Sequence, residues 1–268
     1  MFSVCTVLYG PHEDLAEKLL SSWKNYDKVT DFRIGLNAVS EKSRYLLQDW
    51  ASRQKVPVYV FEPEGQENVG KYPLMRAMFR SCEPAEYLMW FDDDSYLDEY
   101  AGTEWWRSVG VQAASATQVG AVHRIIQRSR QFEVIQQQPW YSGKSLGPRH
   151  RYTFATGGWW TLNRDFALAH DYPFTAIHHN GGDSVLGELI RQQGGKLKNA
   201  GRLCQCHCES CIKKVKPTAG CKVHINVGGR QGRRGIGVTG ERYVWADGNP
   251  ESSTEHQNFR INLTTYNT

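Results

Sequence analysis

Residues 86–96 read Glu86-Tyr87-Leu88-Met89-Trp90-Phe91-Asp92-Asp93-Asp94-Ser95-Tyr96. An unbroken apolar run of strand length predicts a β-strand buried on both faces, the character of a central strand in a parallel sheet. It runs directly into three aspartates. In open α/β sheets ligands bind beyond the carboxyl ends of the strands, and three adjacent carboxylates repel one another unless a cation relieves them. Mg²⁺ or Mn²⁺, hard cations that take oxygen ligands and bridge to substrate phosphates, would do so. The alternative is a solvated acidic turn capping the next helix. If the strand continues, Asp92 and Asp94 project to one side and Asp93 to the other.

Outward from this stretch, the chain alternates strands and helices. Residues 2–9 (FSVCTVLY) predict a strand, and 12–25 a helix with Leu15, Leu19, Leu20 and Trp23 on one face. A second strand is expected over 32–39 with a helix over 41–54. A third fits 56–61, with a helix from about Pro73 to Arg80. This alternation predicts an α/β fold with a mainly parallel sheet flanked by helices. Downstream, residues 129–151 read as a long loop containing Trp140 and Tyr141. Residues 152–162 read as a strand broken at Gly157-Gly158, 183–193 as a helix, 196–208 as a strand and 247–268 as a polar tail. The expected organisation is one domain over 1–210, with halves of about 1–100 and 101–210. A basic Gly-rich extension over 211–268 would pack on it.

The composition of these 268 residues, 40% hydrophobic and 12% aromatic with a formal net charge of +4, excludes disorder, collagen and coiled coil. The charge is unevenly spread: residues 191–242 hold 12 of the 32 basic residues and 2 of the 28 acidic ones. Lys213, Lys214, Lys216, Lys222, Arg230, Arg233, Arg234 and Arg242 lie in this stretch, as expected of a surface that meets a polyanion or a diphosphate, or of a solvated basic face. No segment has the length or apolarity of a membrane span, and the first ten residues lack the pattern of a signal peptide. A soluble, cytoplasmic protein with no membrane partner is the expectation. Of seven cysteines, Cys204, Cys206, Cys208, Cys211 and Cys221 crowd together. They would hold a structural Zn²⁺, stand as buried free thiols, or form disulfides; the spacing is not a standard zinc pattern.

The stretch Trp90 to Tyr96 resembles the Asp-x-Asp signature of nucleotide-sugar glycosyltransferases of the GT-A fold, which is Rossmann-like. The nearest group is the fringe and β1,3-galactosyltransferase group. Phe154-Ala155-Thr156-Gly157-Gly158, continued by Asn163-Arg164 and Ala167-Leu168, is similar to the next motif of that group. Gly182-Asp183-Ser184-Val185-Leu186-Gly187 looks like its Asp-Asp-x-x-x-Gly segment, with Gly182 where the first acid would stand. The layout from Gly181 to His207 is also similar to the polypeptide N-acetylgalactosaminyltransferases. Asn68-Val69-Gly70-Lys71 is similar to an Asn-x-Gly turn of family-2-like enzymes.

By this resemblance Asp94 and His207, with His224 as the competing histidine, would bind the metal, and Asp92 would lie near the ribose or the metal. Asp183 would be the general base that takes the acceptor hydroxyl's proton, on the face opposite the leaving group, which implies inversion. Its alternative role is a helix cap. Thr6, Tyr9, Asn68, Lys71, Asp93, Gly157 and Gly158 would line the donor, with Asn37 a weaker candidate. Trp159 and Trp160 would stack on a sugar or base, or belong to the core. The implied activity is transfer of a hexosyl or pentosyl group from a nucleotide sugar, UDP-linked by family expectation, to a hydroxyl. The basic block suggests DNA carrying hydroxymethylated pyrimidines as the acceptor, ahead of protein or glycan. The competing classes are a non-catalytic nucleic-acid-binding module and a nucleotide-sugar hydrolase.

Overall fold

The computed structural model describes residues 1–24, 26–98, 101–126, 135–144, 151–174, 182–200, 223–224 and 259–267. The expected alternation is present: β1 (Phe2–Tyr9), α1 (Glu13–Ser22), β2 (Val29–Asn37), α2 (Glu41–Ser52), β3 (Val58–Pro63), α3 (Lys71–Arg80) and β4 (Tyr87–Phe91). Then follow β5 (Tyr96–Leu97), α4 (Thr103–Ala113), β6 (Gln118–Ile126), β7 (Arg151–Asn163), α5 (Arg164–Ala169), α6 (Gly182–Gln192), β8 (Leu197–Asn199), β9 (Val223–His224) and β10 (Ile261–Tyr266). Eight strands form one sheet in the order β10-β3-β2-β1-β4-β7-β6-β8. β3, β2, β1 and β4 run parallel, as do β6 and β8, whereas β7 is antiparallel to β4 and β6 and β10 is antiparallel to β3. A mixed, mainly parallel sheet flanked by helices is therefore the fold.

Side-chain alternation along the central strands supplies two cores. Met89 and Phe91 of β4, with Val4 and Leu8 of β1 and Phe32 and Ile34 of β2, meet Leu19 and Trp23, Trp50 of α2 and Trp106 of α4. Leu88 and Trp90, with Cys5 and Val7, meet Leu74, Met78 and Phe79 of α3 and Val185 and Leu189 of α6 on the other face. Burial of each large apolar side chain contributes about 1.5–3 kcal/mol, so β4 is secured from both sides, as its unbroken apolar run predicts. Leu15, Leu19, Leu20 and Trp23 are all buried.

At the amino ends of the strands lies a buried ion pair. Arg33 Nε donates to Asp31 Oδ1 (2.6 Å), Nη1 to the carbonyls of Met78 (2.7 Å) and Ser81, and Nη2 to that of Cys82 (2.8 Å). Ser3 Oγ donates to Asp31 Oδ2 (2.8 Å) and accepts from Ala85 N (2.8 Å). This network fixes the start of β2 to the end of α3 and the approach to β4.

Several expectations are corrected. Residues 92–95 turn, with Ser95 N donating to the Asp92 carbonyl (2.9 Å), so strand alternation does not order the three aspartates. α3 begins at Lys71, two residues before Pro73, because proline is tolerated in a first turn. β7 spans Gly157-Gly158 as one strand, but its ladder with β6 is interrupted there as expected, stepping from Gly120↔Trp160 to Val122↔Ala155. Trp159 and Trp160 are fully buried, the latter stacked on Trp90 at 5.8 Å, and so belong to the core. The polar tail contains β10, an edge strand whose ladder with β3 runs from Ile261↔Pro63 to Tyr266↔Val58. Within the expected loop, residues 135–144 begin with a helical turn and pack on α6, where Gln192 accepts from Ser142 N (3.1 Å) and Lys144 N (3.1 Å). Of the strand expected over 196–208, Leu197–Asn199 is present. His207, the cysteines from 204 to 221 and nearly all of the basic block lie outside the described residues. Among the described residues no helix is long and apolar enough to cross a membrane.

Candidate active site

The carboxyl ends of β1, β2 and β4 and the loop from β3 to α3 meet at one edge of the sheet. Asn37, at the end of β2, organises that loop: its Nδ2 donates to Asn68 Oδ1 (2.9 Å) and its Oδ1 accepts from Val69 N (2.9 Å). Asn68 Oδ1 also accepts from Gly70 N (3.0 Å), and Asn68 Nδ2 donates to the hydroxyl of Tyr9 at the end of β1 (3.4 Å). Tyr9 and Asn68 thus reach the surface at the strand ends. Asn37 acts beneath them as a buried brace. Thr6 is fully buried between β2 and β4, opposite Ile34 and Phe91, and does not line the open edge.

The turn after β4 is tied to β7 by Asp92 N donating to the Gly158 carbonyl (3.0 Å). Gly158 therefore touches the acidic turn through its backbone. Asp92 Oδ1 accepts from the Lys71 ammonium (2.8 Å) and from the Trp90 indole nitrogen (2.8 Å). The ammonium also lies 5.4 Å from the centroid of the Trp90 ring and 5.5 Å from that of Tyr72. Burial opposes the charge on Lys71, but the carboxylates of Asp92 and Asp183 outweigh it and raise its pKa. Asp183, in the first turn of α6, therefore shares an electrostatic neighbourhood with Lys71 and Asp92. The structure brings together the first and third sequence motifs around one lysine.

Burial, then the charges of Asp94 and Asp92, push the pKa of Asp93 up to about 8, with Lys71 opposing. Burial and crowding thus disfavour full ionisation of this turn, a repulsion that a hard cation would relieve. Among the described residues no three His, Cys, Asp or Glu side chains are grouped as a ligand set. Magnesium-like sites commonly use one or two carboxylates plus substrate phosphates, so the donor chemistry of the turn fits such a cation. β9 adds a further element: His224 pairs with Tyr96, two residues beyond Asp94.

Two glycines explain the form of the third motif. A Cβ at residue 182 would fall on the hydroxyl of Tyr72, which instead accepts a hydrogen bond from Gly182 N. A side chain at 182 would require Tyr72 to shift. A Cβ at 187 would run into the Thr153 carbonyl and Phe154, so Gly187 lets α6 lie directly on β7. Asn163 and Arg164 are structural: the Asn163 side chain caps α5 by accepting from Phe166 N (2.8 Å), and Arg164 Nη1 donates to the Pro84 carbonyl (2.7 Å).

The sequence reading does not identify the tyrosines beneath Asp183. Tyr72 and Tyr172 are buried, and burial together with neighbouring charges, including Asp183 and Asp92, raises both pKa values. The Tyr172 hydroxyl has no hydrogen-bond partner among the described residues. Its segment is clamped to α3: Arg76 and Arg80 both bind Asp171 Oδ1 (2.8 and 2.6 Å), and Arg76 donates to the Pro173 carbonyl (2.8 Å). Tyr72 adjoins Lys71 in sequence and was within reach of motif reading; Tyr172 carries no local signal.

No protein-family model matches the chain, and no curated protein matches it in sequence. Solved structures of similar shape include the mannosyltransferase PcManGT from Pyrobaculum calidifontis in complex with GDP-Man and Mn²⁺, with a TM-score of 0.48 and 14% identity over 74% of this chain and 54% of that one. S. aureus TarS, residues 1–349, gives a TM-score of 0.47 and 13% identity over 74% of this chain and 57% of that one. The chain thus spans little more than half the length of either.

Proposed function

We propose that this chain is a metal-dependent, inverting glycosyltransferase that moves a hexosyl or pentosyl group from a nucleoside-diphosphate sugar to an acceptor hydroxyl. The observation that carries this reading is the joining of the acidic turn after β4 to Asp183 through Lys71, at the carboxyl ends of the parallel strands. Tyr9 and Asn68 would contact the nucleoside, UDP being the expected carrier. Gly157 and Gly158 would let the backbone of β7 approach the sugar closely. Asp183 would accept the proton of the attacking hydroxyl.

Asp92 and Asp94, with His207 or His224, would hold Mn²⁺ or Mg²⁺. Such a cation supplies Lewis-acid stabilisation of the charge that develops on the departing diphosphate. His224 pairs through its backbone with Tyr96, two residues beyond Asp94, which supports it as a candidate beside His207. A structural Zn²⁺ on Cys221 and three of Cys204, Cys206, Cys208 and Cys211 would hold the basic segment. That segment supports a polyanionic acceptor, with hydroxymethylated pyrimidine in DNA the leading candidate; its binding should weaken as salt rises.

The test is calorimetric binding of a panel of nucleotide sugars with Mn²⁺ and with chelator, to the wild type, Asp94→Ala and Asp183→Asn. One donor should bind in a metal-dependent way, lose binding in Asp94→Ala and keep it in Asp183→Asn. Transfer by Asp183→Asn should then fall by about 10²–10⁴-fold. Failure of every donor to bind the wild type with Mn²⁺ would overturn the reading.

A further inference from the structure

Lys71 stands where a helix least favours a cation. It opens α3, whose first turn carries no acidic residue, at the end where the helix dipole attracts anions. What holds it there is Asp92: the ammonium lies 2.8 Å from Oδ1, and the Trp90 indole donates to the same oxygen at 2.8 Å. Two donors therefore already converge on the oxygen of the carboxylate read above as a metal ligand. A divalent cation bound to Asp92 and the Lys71 ammonium would compete for it, since like charges at contact distance repel strongly. Lysine has a flexible stem and rotatable donors, so it can leave without disturbing the helix. A diphosphate at the N-terminus of α3 would meet both the ammonium and the helix amides.

We propose that Lys71 is an exchangeable counter-ion: it neutralises Asp92 as observed here and transfers to the diphosphate of the donor when a divalent cation takes Asp92. This rests on the reading of Asp92 as a metal ligand and of the donor as a nucleoside diphosphate. The exchange couples the two ligands. Metal frees the lysine for the diphosphate, and the diphosphate removes a competitor of the metal, so each should tighten the other reciprocally.

The test uses Lys71→Met, which keeps the length of the stem without the charge, and Lys71→Arg, which keeps the charge. Mn²⁺ alone is titrated calorimetrically; then UDP and GDP are titrated at saturating Mn²⁺. Losing one charge-assisted hydrogen bond should tighten Mn²⁺ about tenfold in Lys71→Met and weaken the preferred nucleotide about tenfold, while Lys71→Arg stays within a few-fold of wild type. A damaged fold would weaken both ligands, so the opposite signs separate exchange from misfolding. Unchanged or weaker Mn²⁺ binding in Lys71→Met, with wild-type Mn²⁺ binding abolished by Asp92→Ala, would overturn the exchange and leave the metal reading standing. No Mn²⁺ binding to wild type or Lys71→Met would overturn both.

Discussion

Two ion pairs of the same chemical kind sit at opposite ends of the sheet, Arg33–Asp31 at the amino ends of the strands and Lys71–Asp92 at the carboxyl ends. Arg33 is fully buried and spends its donors on Asp31, three backbone carbonyls and, through its face, the ring of Tyr59 at 5.2 Å. Asp31 is equally committed, to Arg33 and Ser3. The side chains of Lys71 and Asp92 keep 18% and 21% of their exposure, and the lysine meets its partner through one hydrogen bond. A saturated pair has nothing left for a ligand, whereas a partly exposed pair can be broken and remade. The difference makes the amino-end pair a fixed part of the fold and leaves the carboxyl-end pair the easier one to open.

Removing a partner from each pair tests that division. Arg33→Met leaves Asp31 buried without its cation, a class of change that costs about 3–5 kcal/mol. Urea unfolding should show a loss of that size, partly restored when Asp31→Asn is added. A loss below about 1 kcal/mol would mean that the amino-end pair is as dispensable as a surface one.

The two ends also differed in how far the sequence disclosed them. The apolar run 87–91 and the aspartates after it are local signals, and each strand and helix from β1 to β4 follows from hydrophobic period. In the third motif Gly187 has a structural reason, because the contact of α6 with β7 demands a residue without a side chain. Arg33 gave no such sign, since a charged residue inside an apolar strand announces burial only once its partners from α3 are in place. β10 was read as tail for a related reason. Its side chains are largely exposed, and pairing with β3 rather than a buried face makes it a strand. α4 carries Trp105, Trp106, Val109 and Ala113 on one buried face, a spacing that is itself a helical signal in the sequence. The turn at 92–95 could not be foreseen from alternation, because the backbone bond to Gly158 comes from a strand more than sixty residues away.

A smaller effect sharpens the amino-end case through pH. Burial raises the pKa of Asp31 above its ordinary value, with Arg33 and the Ser3 hydroxyl both opposing. The folded state therefore holds that proton more tightly than the unfolded chain, and ionising Asp31 weighs against folding as pH rises. Ser3→Ala removes one stabiliser of the ionised form and should cost about 1 kcal/mol at neutral pH. The part due to Asp31 should fade as pH falls through the raised pKa, while the part due to Ala85 N, which loses its acceptor, should persist. Urea titrations of both proteins from neutral to acid pH would read the difference; a pH-independent penalty would place all of it on Ala85.

The smallest expected change in stability belongs to the carboxyl end. Lys71→Met breaks an ion pair whose members remain partly hydrated, and screened pairs of that sort contribute about 0–1 kcal/mol. Asp92 keeps the Trp90 indole, and water can replace the ammonium. Urea unfolding of Lys71→Met should therefore fall within about 1 kcal/mol of wild type, against the several expected for Arg33→Met. A loss matching that of Arg33→Met would show Lys71 to be a structural cation locked in place, and a locked cation cannot change partners. The small value is the one an exchangeable counter-ion requires, because the free energy released when it moves has to be recoverable from the ligand that displaces it.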